Sequence, residues 1–212
     1  MKKTLMALAA LVLCLSMTAQ DFPYKKVLDA SKEDLSAQKF KYNKNQNQMS
    51  LSFVNGWGVV ASALSDMDIP AKNDYTITVQ YGQGDEKAWV EVVFYDSDIY
   101  HKILTYAVDN TTDLLETKDG NGTRHQFSSQ GYNFQLQYRR VEQKSTSTVT
   151  GSSDDHKVST SRSSTEDYSY DKYVYTISTD VEPWSPYLDK QAEKAGKREA
   201  KGKKATSSES FM

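Results

Sequence analysis

The sequence is almost free of cysteine. Its 212 residues include one, Cys14, which lies in an apolar run near the N-terminus. A chain cut after Ala19 therefore holds no disulfide, no thiolate metal site and no cysteine nucleophile. The stability of the remaining chain has to come from side-chain packing and backbone hydrogen bonds.

Long hydrophobic runs are missing beyond the first fifteen residues. The apolar run at 5–15 is shorter than the about 20 residues that cross a membrane. Two lysines precede it and small or polar residues follow it, which is typical of a secretory signal peptide at 1–19. The sequence thus predicts export to the periplasm or beyond, without a transmembrane span. Acylation at Cys14 is the alternative, and the bulky Leu13 before it argues against a lipoprotein.

Signals of catalysis and of nucleic-acid binding are scarce. The sequence has no Gly-x-Ser-x-Gly elbow and no glycine-rich phosphate loop. Its net charge of −2 is too small to indicate a nucleic-acid partner. These absences favour a protein that is not an enzyme, and a hydrolase of another type stays open.

Alternation of apolar and polar residues dominates what is present. In the stretch 74–108, the first run has apolar residues at every second position: Tyr75, Ile77, Val79 and Tyr81. A second run covers 88–95 and a third covers 101–108, with short turns between them. A period of two is typical of strands with one buried face, so we expect three consecutive strands here.

Turn signals extend this pattern along the chain. Residues 39–53 alternate around an Asn-rich turn, as in a hairpin, and Asn121-Gly122 predicts a second hairpin turn. Further alternating runs reach residue 179. We therefore predict an all-β fold without a long internal helix, an antiparallel two-sheet sandwich over residues 21–186.

Two polar segments differ from this domain. Residues 145–165 hold thirteen serines or threonines in twenty-one positions, which predicts a protruding polar hairpin or a mobile loop. The tail, residues 187–212, is basic, with seven Lys or Arg against three acids between Asp189 and Lys204. Ser185 and Pro186 can begin a short C-terminal helix, and two glycines weaken it, so we expect a weakly helical or disordered tail.

Within residues 40–108, a hairpin precedes Gly56-Trp57, the acidic loop 66–69 leads into a core strand, and the next strand ends in the acidic turn 96–98. This order of elements resembles that of the concanavalin A-like, or laminin G-like, jelly-roll proteins. The resemblance implies a two-sheet jelly roll that binds a glycan or a protein. The catalytic branch carries Glu-x-Asp-x-x-Glu on one strand, whereas Glu91 stands alone here. We therefore expect no hydrolysis of β-glucans.

Four residues form the candidate ligand site. Trp89, Glu91 and Tyr95 share one face of a strand, opposite a more apolar face, and Trp57 lies on a bend between two glycines. Aromatic faces stack on apolar planes such as sugar rings, and a carboxylate accepts hydrogen bonds from hydroxyls. The set therefore fits a glycan. The alternative is that a second sheet or a loop covers these rings.

A metal site and a catalytic site are not predicted. Asp96, Asp98 and His101 are closely spaced groups of the kind that hold Ca²⁺, and a solvated turn between strands is the alternative. No catalytic residue stands out.

The sequence as a whole predicts a secreted, non-catalytic module that binds a glycan or a protein surface. The alternative is a structural or envelope-associated interaction protein, in which the polar segment and the basic tail contact an envelope or extracellular protein. The sandwich is then only a scaffold. The oligomeric state stays open.

Overall fold

A computed structural model describes residues 21–54, 70–153 and 158–208. The predicted signal peptide, the bend with Trp57 and the acidic loop 66–69 lie outside the described residues. Within the described ranges, the chain forms four helices and eight strands.

In the described part of the chain, helices lie at the start, in the middle and at the end, with strands between them. In chain order they are α1 Lys25–Asp29, α2 Lys32–Ala37, β1 Lys41–Asn43, β2 Gln48–Phe53, β3 Tyr75–Tyr81, β4 Lys87–Phe94, α3 Ser97–Asn110, β5 Leu115–Asp119, β6 Gly122–Ser129, β7 Tyr132–Ser153, β8 Val158–Ser178 and α4 Pro186–Ser208.

All eight strands belong to one antiparallel sheet, in the order β1-β2-β3-β4-β8-β7-β6-β5. The hairpin predicted at 39–53 is confirmed as β1 and β2, with Tyr42 opposite Met49. The hairpin predicted near Asn121 is confirmed as β5 and β6, with Gly120 at a φ of 53° in its turn. The β-rich, antiparallel prediction thus holds, and the second sheet of a jelly roll stays a prediction.

The prediction of a strand at 101–108 is wrong, since these residues lie in the fourteen-residue helix α3. The buried residues of α3 recur at helical spacing, and they are Ile99, Ile103, Tyr106 and Ala107. Asp96 caps the helix, because its side chain accepts a hydrogen bond from the Asp98 N–H at 2.9 Å. The acidic turn predicted at 96–98 is therefore a helix start, and the expectation of no long internal helix fails with it.

Two serines cap helices as their sequence positions indicate. Ser31 and Asp34 form a reciprocal capping box at the start of α2. The Ser185 hydroxyl accepts the Leu188 N–H at 3.1 Å, with Pro186 in the first position of α4. The predicted C-terminal helix is present and runs for 23 residues.

The chain divides into two compact units. The first unit contains the chain up to Leu51, Thr78–Glu91 and the chain from Ile177 on. Its buried apolar residues include Tyr24, Leu35, Met49, Tyr81, Val90 and Ile177. The second unit contains Ser52–Ile77 and Val92–Thr176. Its buried apolar residues include Phe94, Ile103, Phe127, Leu136, Tyr173 and Tyr175.

Strands β7 and β8 are much longer than the other strands of the sheet. The last residue of β7 that pairs with β6 is Arg139, and β7 continues to Ser153. We call the part of these strands beyond Arg139 the polar ribbon, residues 140–153 and 158–171. It contains most of the Ser/Thr-rich segment 145–165.

Candidate functional site

Strand β4 alternates strictly between fully buried and half-buried residues. Its buried residues are Ala88, Val90, Val92 and Phe94, each no more than 2 % exposed. The residues between them, among them Trp89 and Glu91, are half-buried. The predicted division of this strand into a core face and a wetter face is therefore confirmed.

Trp89 and Glu91 lie together in the first unit, on the wetter face of β4. Residues two apart on one strand face are about 7 Å apart along the strand, so one small ligand can contact both. In the part of the chain that the structure describes, neither the Trp89 indole nor the Glu91 carboxylate has a hydrogen-bond or ion-pair partner. An indole N–H donor and a carboxylate, both partly exposed, therefore lie on the same strand face, and neither has a hydrogen-bond partner among the described residues.

Lys87, the neighbouring cation on β4, is already engaged by the chain. Its ammonium group donates hydrogen bonds to the carbonyl oxygens of Leu28, at 2.5 Å, and of Ala30. Burial lowers the pKa of Lys87, and the nearby Asp29 and Asp34 partly oppose this. Lys87 thus serves the end of α1, and among the described residues no cation pairs with Glu91.

The buried side-chain amide of Gln80, on β3, links several segments of the first unit. The Gln80 side chain is 3 % exposed, and its Nε2 donates to the carbonyl oxygens of Tyr81 at 2.9 Å and Trp184 at 3.0 Å. The Asn47 side chain donates to the Gly82 carbonyl oxygen at 2.9 Å. These contacts tie distant parts of the chain to β3, so the strands of the first unit form a firm support.

The other predicted ligand residues are placed differently. Tyr95 follows β4 in the second unit, where its half-buried ring meets Tyr170 edge-on at 5.9 Å. Trp57 lies outside the described residues. The structure therefore joins two of the four predicted residues in one unit, Trp89 and Glu91.

The residues suggested for Ca²⁺ lie at the start of α3. The Lys72 ammonium group is 3.1 Å from Asp98 Oδ2 and 3.2 Å from Asp96 Oδ1. Hydrogen bonds to Asp98 and then Asp96 raise the pKa of Lys72. His101 is exposed on the helix, with its ring edge-on to Tyr100 at 5.5 Å. Over the described ranges, no group of three or more His, Cys, Asp or Glu is arranged to hold a metal ion.

Sequence patterns do not reveal a tyrosine–histidine cluster, which comprises Tyr100, His125, Tyr138 and Tyr173. The buried His125 lies 2.9 Å from the Tyr100 hydroxyl through Nε2. The Tyr173 ring is 5.0 Å from that of Tyr100 and 5.6 Å from that of Tyr138. Burial raises the pKa values of Tyr100 and Tyr173, so both phenols stay protonated at neutral pH. The cluster packs α3 against the sheet.

Charged groups lie at the base of the polar ribbon. Arg140 Nη1 is 3.3 Å from Asp171 Oδ1, and Arg140 Nη2 is 2.6 Å from the Ser169 hydroxyl. The Tyr138 hydroxyl donates to the same Asp171 oxygen at 3.2 Å. These contacts link β7 to β8 where β6 no longer pairs with β7.

Among the described helices, none combines the length and the hydrophobicity that crossing a membrane requires. Comparisons with known proteins return no matching family model, no matching curated protein and no matching solved structure.

Proposed function

We propose that the protein is an exported, non-catalytic module that binds a glycan on the wetter face of β4. The observation that carries this proposal is the pair formed by Trp89 and Glu91, half-exposed and without partners in the described chain. Partly exposed polar groups that have no partner within the described fold can hydrogen-bond to water or to a ligand. The pair is therefore available to a ligand.

The chemistry of the pair suits a polyhydroxylated ligand. The indole offers a flat apolar surface for the C–H face of a sugar ring and an N–H for one hydroxyl. The Glu91 carboxylate accepts hydroxyl hydrogen bonds, which are stronger when one partner is charged. Lys87 is held by the carbonyl oxygens of Leu28 and Ala30. It therefore does not compete with a ligand for the Glu91 carboxylate.

Several finer predictions accompany this proposal. The jelly-roll resemblance, export after residue 19, Ca²⁺ binding and contributions of Trp57 and Tyr95 to the ligand site remain predictions. A protein surface can offer similar hydroxyl and amide groups, so it is the alternative ligand for the same face.

Affinity electrophoresis through gels that contain soluble polysaccharides tests the proposal. We expect at least one polysaccharide to retard the wild-type chain, and Trp89→Ala to weaken the retardation at least about tenfold. Glu91→Gln keeps the shape of the side chain and removes its charge, and we expect a loss of about three- to tenfold. Matched controls are Tyr187→Ala, an exposed aromatic on α4, and Glu86→Gln, an exposed acid before β4.

Affinity electrophoresis of the four variants can support the glycan site or overturn it. Retardation that Trp89→Ala and Glu91→Gln reduce, and that the two controls leave unchanged, supports the glycan site. Migration that no polysaccharide of a broad panel alters, or a Trp89→Ala variant that binds as tightly as the wild type, overturns it.

A second candidate function is favoured by the parts of the chain that extend from the sheet. The polar ribbon continues beyond the last β6–β7 pair, and the described side chains of α4 from Tyr187 to Lys197 are exposed. These features suit an interaction protein whose ribbon and basic helix contact an acidic partner. Deleting the chain after Pro186 then removes partner binding, whereas unchanged binding contradicts this function.

A further inference from the structure

We propose that α4 docks on an anionic phospholipid surface through one row of lysines. The inference rests on the second candidate function and names its partner, and it is independent of the glycan site on β4. It starts from the spacing of basic residues in the helix.

The lysines of α4 recur with helical spacing. Lys190, Lys194 and Lys197 are four and three residues apart, and the sequence repeats the same spacing at Lys201 and Lys204. Residues three and four apart lie on one face of a helix, so the spacing defines a lysine row. The row spans fifteen residues, and its first and last lysines are about 21 Å apart along the helix at 1.5 Å per residue.

The first turn of α4 is fixed to the first unit. The Tyr187 N–H donates to the Asn45 carbonyl oxygen at 3.2 Å, and the Trp184 N–H donates to the Tyr81 carbonyl oxygen at 3.0 Å. The Ser185 hydroxyl caps the helix. The row therefore begins at a firm attachment, while its described lysine side chains are all exposed.

The charge of the protein is distributed so that an anionic surface attracts α4 more than any other part of the chain. Residues 21–185 contain 24 acidic and 17 basic residues, whereas α4 contains three acidic and seven basic residues. The body of the protein is thus repelled by an anionic surface and the helix is attracted to it. Each basic residue close to an anionic bilayer strengthens binding about fivefold.

Exposed apolar residues favour a lipid surface over another polyanion. Tyr187 and Leu188, at the start of α4, are 53 % and 44 % exposed. Leucine gains free energy at the boundary between headgroups and acyl chains and gains little from a nucleic acid or an acidic polysaccharide, and the amphipathic tyrosine ring is also favoured at that boundary. The rest of the helix is too polar to insert, so it lies on the surface.

Co-sedimentation of the exported chain with lipid vesicles tests this proposal. We expect binding to vesicles with about 30 % phosphatidylglycerol, no binding to pure phosphatidylcholine, and release in 0.5 M NaCl. The triple variant Lys190→Gln, Lys194→Gln and Lys197→Gln should bind about 100-fold more weakly. The matched control replaces three exposed lysines away from this attachment, Lys39→Gln, Lys102→Gln and Lys118→Gln, and should bind within about twofold of the wild type.

Three results would overturn the proposal. The first is equal loss in both triple variants, which indicates an effect of net charge alone. The second is binding to neutral and anionic vesicles alike. The third is strong retention of the chain by heparin or duplex DNA with no binding to anionic vesicles. Trp89→Ala should bind vesicles normally, so a failure of the glycan proposal leaves this one standing.

Discussion

The two units of the protein bury polar side chains in different ways. In the first unit, the Gln80 amide lies within 3.4 Å of four backbone carbonyl oxygens, and its Oε1 accepts the Gln48 side chain at 2.7 Å. In the second unit, the buried His125 contacts one hydroxyl, that of Tyr100. Within the described chain, its Nδ1 has no hydrogen bond and lies 3.9 Å from Glu116 Oε2.

The difference shows what each polar group holds in place. Gln80 fixes backbone, because its partners are carbonyl oxygens from a turn near Asn47 and from the segment before α4. His125 fixes a side chain, because its partner belongs to the rings that pack α3 on the sheet. Loss of Gln80 should therefore cost more free energy of unfolding than loss of His125.

Replacing Gln80 should give the largest effect. Gln80→Ala removes the buried amide that contacts four backbone carbonyl oxygens and the Gln48 side chain, and we expect a loss of about 3 kcal/mol in the free energy of unfolding. Urea denaturation followed by circular dichroism measures it. Gln83→Ala, in the exposed turn before β4, is the matched control and should cost less than about 0.5 kcal/mol. A Gln80 loss as small as that of the control contradicts the contrast between the units.

Tyr81 should make the free energy of unfolding of the first unit depend on pH. Burial raises the pKa of Tyr81 to about 12, with Asp85 adding to the rise. Because the folded-state pKa lies above the ordinary value of 10.0, this stabilisation is complete below pH 10 and is lost as pH rises towards about 12. It amounts to up to about 2 kcal/mol.

Tyr81→Phe removes this titration. The variant should lose less stability than the wild type between pH 10 and 12, as measured by urea denaturation at each pH. Tyr187→Phe, at an exposed tyrosine, should follow the wild-type curve. Parallel curves for wild type and Tyr81→Phe would show that Tyr81 is not desolvated in the folded state.

Replacing His125 should give the smallest effect of the three. His125→Leu removes one hydrogen bond and leaves the Tyr100 hydroxyl without that partner, and we expect a cost of 1 to about 2 kcal/mol. The exposed His101→Leu on the same helix as Tyr100 is the control. A double-mutant cycle with Tyr100→Phe should show a coupling of about 1 kcal/mol, and additive losses would rule out the Nε2–hydroxyl bond.

The parts of the fold that local patterns determine were predictable. The two faces of β4 were predictable because its core residues recur at every second position and a turn lies at each end of the strand. The caps at Ser31 and Ser185 followed from the residue types that accept backbone N–H groups. In both cases, the information lies within a few residues of the chain.

Helix α3 shows why another part was missed. Residues 101–108 contain enough apolar and aromatic residues for a strand. The buried residues of α3 are nevertheless spaced as in a helix, at Ile99, Ile103 and Tyr106. Asp96 was interpreted as a turn residue, and it is the cap that begins the helix. The error also hid the tyrosine–histidine cluster, because Tyr100 meets His125 only when a helix packs on β6.

The candidate site was predictable in part for the same reason. Trp89 and Glu91 share a strand face, which a period of two reveals from sequence. That both side chains lack partners in the described chain depends on distant contacts, such as the engagement of Lys87 by the end of α1. Such contacts have no local signal in the sequence.

Tryptophan fluorescence tests the central claim most directly. The sequence has three tryptophans, so replacing Trp57 and Trp184 by phenylalanine leaves Trp89 as the single emitter. If a glycan that retards this variant in affinity gels stacks on the indole, saturation with the glycan should shift the Trp89 emission to shorter wavelength. An unchanged Trp89 spectrum with the same glycan bound would contradict the site on β4.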